Sequence, residues 1–391
     1  MKSFAFISLA IFCQLFFAVE SRAIDKEISV VYTFGDELEK YKKVEDTKWD
    51  KEIDDEIEVP ENNIFKRMVF EDDDEDFQAK LKEFENVEDD EVVDEVPNEF
   101  PHEDERLLKR GSISSSEYFR SQLSAFERRI YDQLNTISKP GTIKKLDFEL
   151  KNLKSSNIKT DKIQNYSSRG IGALVRDHPE YWWIKKYNIK MTQTSDRKYV
   201  TAIKVTIHSD YTVANINKFK TKIRNKAVSI ANAAKKKNNT YNRLLYIHDY
   251  LVKYISYKDG QTYSYNLYGA LYKNSSACEG YAEAFAFIAR LISVPVICVT
   301  SNSHKWNYVY LKSKWFVVDV TFDDPSVNGK VYASGETKNL SHKFFLIGKN
   351  TKIKGNKTYT TYSNRKLVSY LEFPNATGFK FPTLSNTAYT Q

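Results

Sequence analysis

Residues 278–321 constrain this chain more than any other stretch. "CEGYAEAFAFIARLIS" places Tyr281, Phe285, Ile288 and Ile292 near one face, its alanines permit close approach of a neighbour, and Pro295 stops it. That pattern predicts a packed central helix. Three runs rich in Val, Ile and aromatic residues follow: "VPVICVTS", "HKWNYVYLK" and "SKWFVVDVTF". They read as strands, the last two joined by a tight turn around Lys312-Ser313-Lys314. Helices followed by closely spaced strands predict an α+β domain with helices packed on an antiparallel sheet.

Upstream, "SSEYFRSQLSAFERRIYDQLNTISKPG" carries Phe119, Leu123, Phe126, Ile130, Leu134 and Ile137 at helical spacing, which predicts one amphipathic helix ending at Pro140-Gly141. Alternating residues around "TSDR" predict a strand pair, and two helices should flank "KKKNNT" near residues 235–240.

Charge divides the chain. Residues 1–110 hold 15 Lys+Arg against 33 Asp+Glu, whereas the remainder holds 44 against 19. The acidic part, with the runs "EDDDEDF" and "VEDDEVVDEV", has few aromatics and no sustained periodicity, as in a largely disordered segment. The extreme N-terminus combines Lys2, an apolar run and small residues at Ser21 and Ala23, the three regions of a signal peptide. That run is about sixteen residues, short of the roughly twenty a membrane span needs, so no transmembrane span is expected. Lys109-Arg110, followed by Gly and Ser at the charge boundary, suits a processing protease of the secretory pathway. The expected organisation is therefore a signal peptide over 1–23, an acidic propeptide over 24–110, a helical and strand-bearing N-terminal part of the mature domain over 111–239, and a catalytic core with a C-terminal extension over 240–391. Secretion to the extracellular space or cell surface follows. Sequons at Asn165, Asn238, Asn339, Asn356 and Asn375 suit a glycoprotein, while one at Asn274, close to Cys278, is expected to stay bare.

Cys13 leaves with the signal peptide, so the mature chain keeps Cys278 and Cys298 alone, too few for a disulfide scaffold. Cys298 sits in the apolar run "PVICVT" and reads as core. Cys278 heads the predicted helix, where the macrodipole and free N–H groups favour a thiolate, which makes it the candidate nucleophile. His304 precedes one strand and Asp319 lies within the next. An even-numbered turn between them would make the two opposite or diagonal neighbours, within side-chain reach. A carboxylate among Val317, Val318 and Val320 needs a partner, because burying an unpaired charge is costly. His304 supplies one, and an imidazole oriented by a carboxylate is the base a thiol nucleophile requires.

These three motifs, "SSACEGYAEAFAFIARLISVPV", "SHKWNYVYL" and "KWFVVDVTFDDP", resemble the core motifs of the transglutaminase-like superfamily, with spacings of 26 and 15 residues similar to those of its microbial members. "YIHDYLVKYISY" and "SHKFFLIGKN" look like the flanking elements of such domains. The resemblance implies a papain-like fold with Cys278 as nucleophile, His304 as general base and acid, and Asp319 as orienter. No residue matches the oxyanion-hole Trp or Gln that some relatives place before the cysteine. The Cys278 backbone N–H is a generic donor, with Tyr268 or Tyr272 as further candidates.

The expected function is a secreted, zymogen-like cysteine enzyme that acylates on amide bonds of proteins or peptides, with crosslinking, deamidation or peptidase outcomes open. The rival is a non-catalytic binding protein whose basic domain adheres to anionic polysaccharide or another charged surface. Specific nucleic-acid binding is not expected of a secreted chain without recognition motifs. Neither a cofactor nor a metal is expected: "FDDP" reads as a turn whose Asp323 and Asp324 are too few for calcium. His248 and Asp249 in "IHDYL" read as residues that hold helices together.

Overall fold

The computed structural model describes residues 26–32, 117–138, 143–301, 304–324, 326–327, 330–331, 341–361, 365–368 and 376–391. The expected signal peptide, the dibasic pair at 109–110 and most of the acidic segment lie outside them.

The N-terminal part comprises β1 (Lys26–Tyr32), α1 (Ala125–Ser138), β2 (Asp147–Leu150), α2 (Ile163–Asp177), β3 (Lys186–Gln193) and β4 (Val200–His208). Its antiparallel sheet has the order β1-β3-β4-β2. The strands around "TSDR" form as the alternation predicts. The expected single helix over 117–137 is shorter: a 3-10 turn at Arg120–Gln122 precedes α1. Two local contacts divide it. Ser124 and Glu127 form a reciprocal capping box, with the Ser124 N–H donating to Glu127 Oε2 at 2.7 Å. The Asp177 carboxylate meanwhile accepts the backbone N–H groups of Phe119 and Arg120 at 3.0 and 2.9 Å. Phe119, Leu123, Phe126, Ile130 and Leu134 are buried despite the break.

β1 belongs to the acidic segment, yet it pairs with β3 in continuous register from Lys26 opposite Gln193 to Tyr32 opposite Tyr187. The reason is local: "KEISVVY" is rich in β-branched residues and precedes the densest acidic runs.

The second part contains α3 (Val213–Lys235), α4 (Thr240–Tyr254), β5 (Ser256–Tyr257), α5 (Leu267–Tyr272), β6 (Ser275–Ser276), α6 (Cys278–Leu291), β7 (Val296–Thr300), β8 (Lys305–Leu311), β9 (Lys314–Val318) and β10 (Phe345–Ile347). β7 to β10 make an antiparallel sheet of order β10-β9-β8-β7. Lys312 and Ser313 turn β8 into β9 with positive φ, as in the type I′ turns that match strand twist. Asn239 separates α3 from α4 by accepting the Asn242 N–H at 2.9 Å, a side-chain N-cap. The expected α+β architecture is therefore present. No described helix is long and apolar enough to cross a membrane.

α6 is the centre of this part. It packs against α3, α4 and α5 on one side and β7 and β8 on the other. Tyr281, Phe285 and Ile288 are fully buried, each stabilising the fold by roughly 1.5–3 kcal/mol. The helix start is held equally closely. A Cβ at Gly280 would overlap the Ser276 hydroxyl and stand 2.8 Å from the Asn266 carbonyl oxygen. Gly280→Ala should therefore cost about 2–3 kcal/mol in urea unfolding. An unchanged midpoint would show that the helix start has room to shift.

Candidate active site

Cys278 is the first residue of α6, and no side chain caps this helix. The chain reaches it through β6, which bridges β5 in parallel, and through bonds from the Ala277 N–H and Ser276 hydroxyl to the Ser264 carbonyl at 2.7 and 2.6 Å. The backbone before the thiol is therefore fixed on both sides.

His304 stands at the foot of β8. The register pairs Asn307 with Val318, so a two-residue turn gives the even parity expected and puts His304 diagonally across from Asp319. Asp319 Oδ2 lies 2.8 Å from His304 Nε2, which leaves Nδ1 as the ring nitrogen available for proton exchange. Trp306 stacks near His304 at 5.4 Å between ring centroids, and Phe322 meets it edge-on at 4.6 Å, so water has little access to the pair. The backbone N–H of Lys305, the residue after His304, hydrogen-bonds the Cys278 sulfur. His304 and Asp319 are thus in direct contact, and Cys278 lies against the backbone of the residue that follows His304.

The Asp319 carboxylate has a further partner that sequence reasoning missed. Arg365 Nη1 donates to the same Oδ2 at 2.7 Å, and the Phe322 N–H donates to Oδ1 at 3.1 Å. Burial by itself would raise this carboxyl. The charges of His304 and Arg365, with their hydrogen bonds, outweigh it and hold Asp319 at about 2. The Arg365 guanidinium lies over Trp306, Phe322, Phe344 and Tyr359 at 4.6–5.4 Å, an aromatic cage that keeps a buried cation in place. Nothing near Arg365 in the chain signals this role.

The thiol departs from the sequence expectation. Cys278 is only 7% exposed and its sulfur lies 3.2 Å from Glu279 Oε2. Burial, and then the carboxylate charge of Glu279, push the thiol well above its ordinary range, while the Lys305 N–H pulls the other way. A helix N-terminus favours thiolate only where the sulfur is solvated or has a cationic partner, and here its side-chain partner is a carboxylate. Burial and the adjacent carboxylate thus favour the protonated thiol.

Cys298 is a core residue as expected, 1% exposed beside the Ala282 carbonyl and the Asn307 amide, and both cysteines are free. Tyr268 and Tyr272, named as possible oxyanion donors, are engaged in aromatic packing. Tyr268 stacks on Trp182 and on Tyr272 at 5.0 and 5.1 Å. His248 joins α4 to the turn after Asp319, as its structural reading requires, with Nε2 3.2 Å from Asp323 Oδ2. A cavity of about 660 Å³ beside α1 and β2 is lined by Gln133, Lys145, Asp147 and Lys204, and no triad residue contributes to it.

Residues 228–320, from the end of α3 through the turn after β9, match the family model described as the transglutaminase-like superfamily. The match covers this segment alone. It contains all three expected residues. Among solved structures, a transglutaminase is similar at 13% identity, over 40% of this chain and 49% of its own, with a TM-score of 0.27. A candidate cysteine protease from Cytophaga hutchinsonii is similar at 15% identity, over 35% of this chain and 58% of its own, with a TM-score of 0.23. The chain therefore spans about half the length of these structures. No curated protein matches it.

Two predictions come from this geometry. Glu279→Gln removes the charge beside the sulfur and should speed iodoacetamide alkylation of Cys278 at neutral pH roughly tenfold, equivalent to about 1.4 kcal/mol. Alkylation of the unaltered protein should still accelerate above about pH 8. A plateau already reached near pH 6 would mean that Glu279 does not hold the proton.

The second concerns Arg365. Asp319 ionises near 2 when folded and near 3.9 when unfolded, so its contribution is fully present above about pH 4 and lost as pH falls toward 2. Arg365→Ala should cost about 2–3 kcal/mol at neutral pH, and the deficit should shrink across that window. A deficit independent of pH in denaturant titrations would assign Arg365 to packing alone.

Proposed function

We propose that this protein is a secreted cysteine enzyme that forms a thioester on amide groups of proteins or peptides. The observation that carries the reading is the Asp319–His304 contact beside a thiol at the head of α6, within a transglutaminase-like domain. In the first step the Cys278 thiol leaves Glu279, passes its proton to His304 Nδ1 and bonds through sulfur to the amide carbonyl carbon. Asp319 fixes the ring through Nε2 and balances the imidazolium charge. The oxyanion is met by the Cys278 N–H. His304 then returns the proton to the departing nitrogen as the C–N bond breaks, leaving the thioester. Water attacking that thioester gives deamidation or peptide cleavage, and a lysine amine gives a crosslink.

The acidic segment is proposed to mask the domain until the chain is cut after Arg110, with charge attraction between the two parts as the driving force. The non-catalytic binding reading has no observation in its favour beyond the basic charge, and it leaves the convergence of Cys278, His304 and Asp319 unexplained.

The test is to incubate protein cut after Arg110 with a glutamine-bearing peptide, with and without a fluorescent primary amine. Mass spectrometry then reads amine incorporation, loss of ammonia and backbone cleavage. One of these products should form, and Cys278→Ala and His304→Ala should lower its rate at least 100-fold. If folded protein, confirmed by circular dichroism, yields none of the products, or if Cys278→Ala retains the rate, the acyl-transfer reading fails.

A further inference from the structure

Outside the triad, His248, Asp249 and His342 bring three donor atoms together, the one such group among the described residues. His248 Nδ1 and His342 Nε2 lie 2.9 and 2.7 Å from the same oxygen, Asp249 Oδ1, and all three atoms fall within 4.8 Å of one another. The residues come from two elements: α4 supplies His248 and Asp249, and the segment leading into β10 supplies His342. His248 is fully buried, Asp249 is partly exposed, and His342 is 42% exposed at the rim. A small ion would therefore have a path in from solvent, and the outer ligand is free to adjust.

We propose that His248, Asp249 and His342 form a zinc site, distinct from the Cys278 centre and independent of the acyl-transfer reading. Donor chemistry selects the metal. Two imidazole nitrogens and one carboxylate oxygen suit zinc, with water as the fourth ligand. Calcium needs six to eight oxygens, which this cluster does not offer.

The surroundings also fit. The far ring nitrogen of His248, Nε2, is held by Asp323 Oδ2 at 3.2 Å, the carboxylate–histidine support that orients metal-bound imidazoles. Asp323 is in turn fixed by the Ser341 hydroxyl at 2.9 Å and the Phe344 N–H at 3.0 Å. In a tetrahedral zinc site, with bonds of about 2.0–2.1 Å, neighbouring donor atoms stand roughly 3.3 Å apart. The two contacts to Asp249 Oδ1, at 2.9 and 2.7 Å, must widen slightly, and His342, 42% exposed, has room to adjust. Without metal, a proton on His248 Nδ1 links that nitrogen to Asp249. Zinc replaces this proton, which passes to solvent.

The position gives the ion a structural consequence. The Asp323 N–H donates to the Asp319 carbonyl at 3.2 Å, and the Asp319 N–H donates to the Phe344 carbonyl at 3.1 Å. Zinc would clamp α4 to the same turn that presents Asp319. This site was not expected from "IHDYL" and "SHKFF" separately, because their 93-residue separation hides the shared position.

The experiment uses the full chain without an affinity tag and with Cys278→Ser, which removes the thiol as a competing zinc ligand. Isothermal titration with zinc should give one ion per chain, and cobalt substitution should give the visible absorption of a four- or five-coordinate ion. His342→Ala, at an exposed position, should weaken zinc binding at least tenfold, as should Asp249→Asn as a second variant. Absence of zinc binding, or equal affinity in both variants and the parent, would overturn the proposal and leave a hydrogen-bonded cluster only.

Discussion

The interaction on which the candidate site depends is the burial of one carboxylate between an imidazole and a guanidinium. Asp319 is wholly buried, and a lone ionised carboxylate in that position would cost several kcal/mol. His304 and Arg365 share its Oδ2, so the charge is both paired and fixed in direction. The consequences spread outward. The ring of His304 is locked with Nε2 toward Asp319, Arg365 is drawn into the cage of Trp306, Phe322, Phe344 and Tyr359, and the turn after β9 must close tightly enough for the Phe322 N–H to reach Oδ1.

Against this preorganised pair, the thiol is held in reserve. α6 is packed on both sides, so Cys278 cannot move far, yet its sulfur faces Glu279 and a backbone N–H in a nearly closed site. Both described cysteines are free and buried, and each sulfur is engaged by local contacts.

Much of this was legible in sequence because the signals were local. The Val- and aromatic-rich runs marked β7, β8 and β9, the apolar periodicity marked α6, and the tight turn fixed the parity that sets His304 diagonal to Asp319. Where the reading missed, a distant residue intervened. Asp177 captures the N–H groups of Phe119 and Arg120 and, with the Ser124–Glu127 box, divides an apparently continuous helix. β1 was passed over because an acidic average over 24–110 masks the β-prone Ile28, Val30, Val31 and Tyr32 near its start.

By itself the sequence determined the α+β pattern, the pairing of His304 with Asp319, the place of Cys278 at a helix start and the burial of Cys298, since each rests on periodicity or on short-range chemistry. Tertiary structure alone decided what surrounds them. Arg365 reaches Asp319 from 46 residues away, and Asp249 and His342 meet across 93, and no pattern in a linear chain encodes such approaches. The protonation of Cys278 belongs to the same class. Its position at a helix start argued for a thiolate, but charge state follows the solvation and neighbours of the sulfur, and those exist only once the chain has packed.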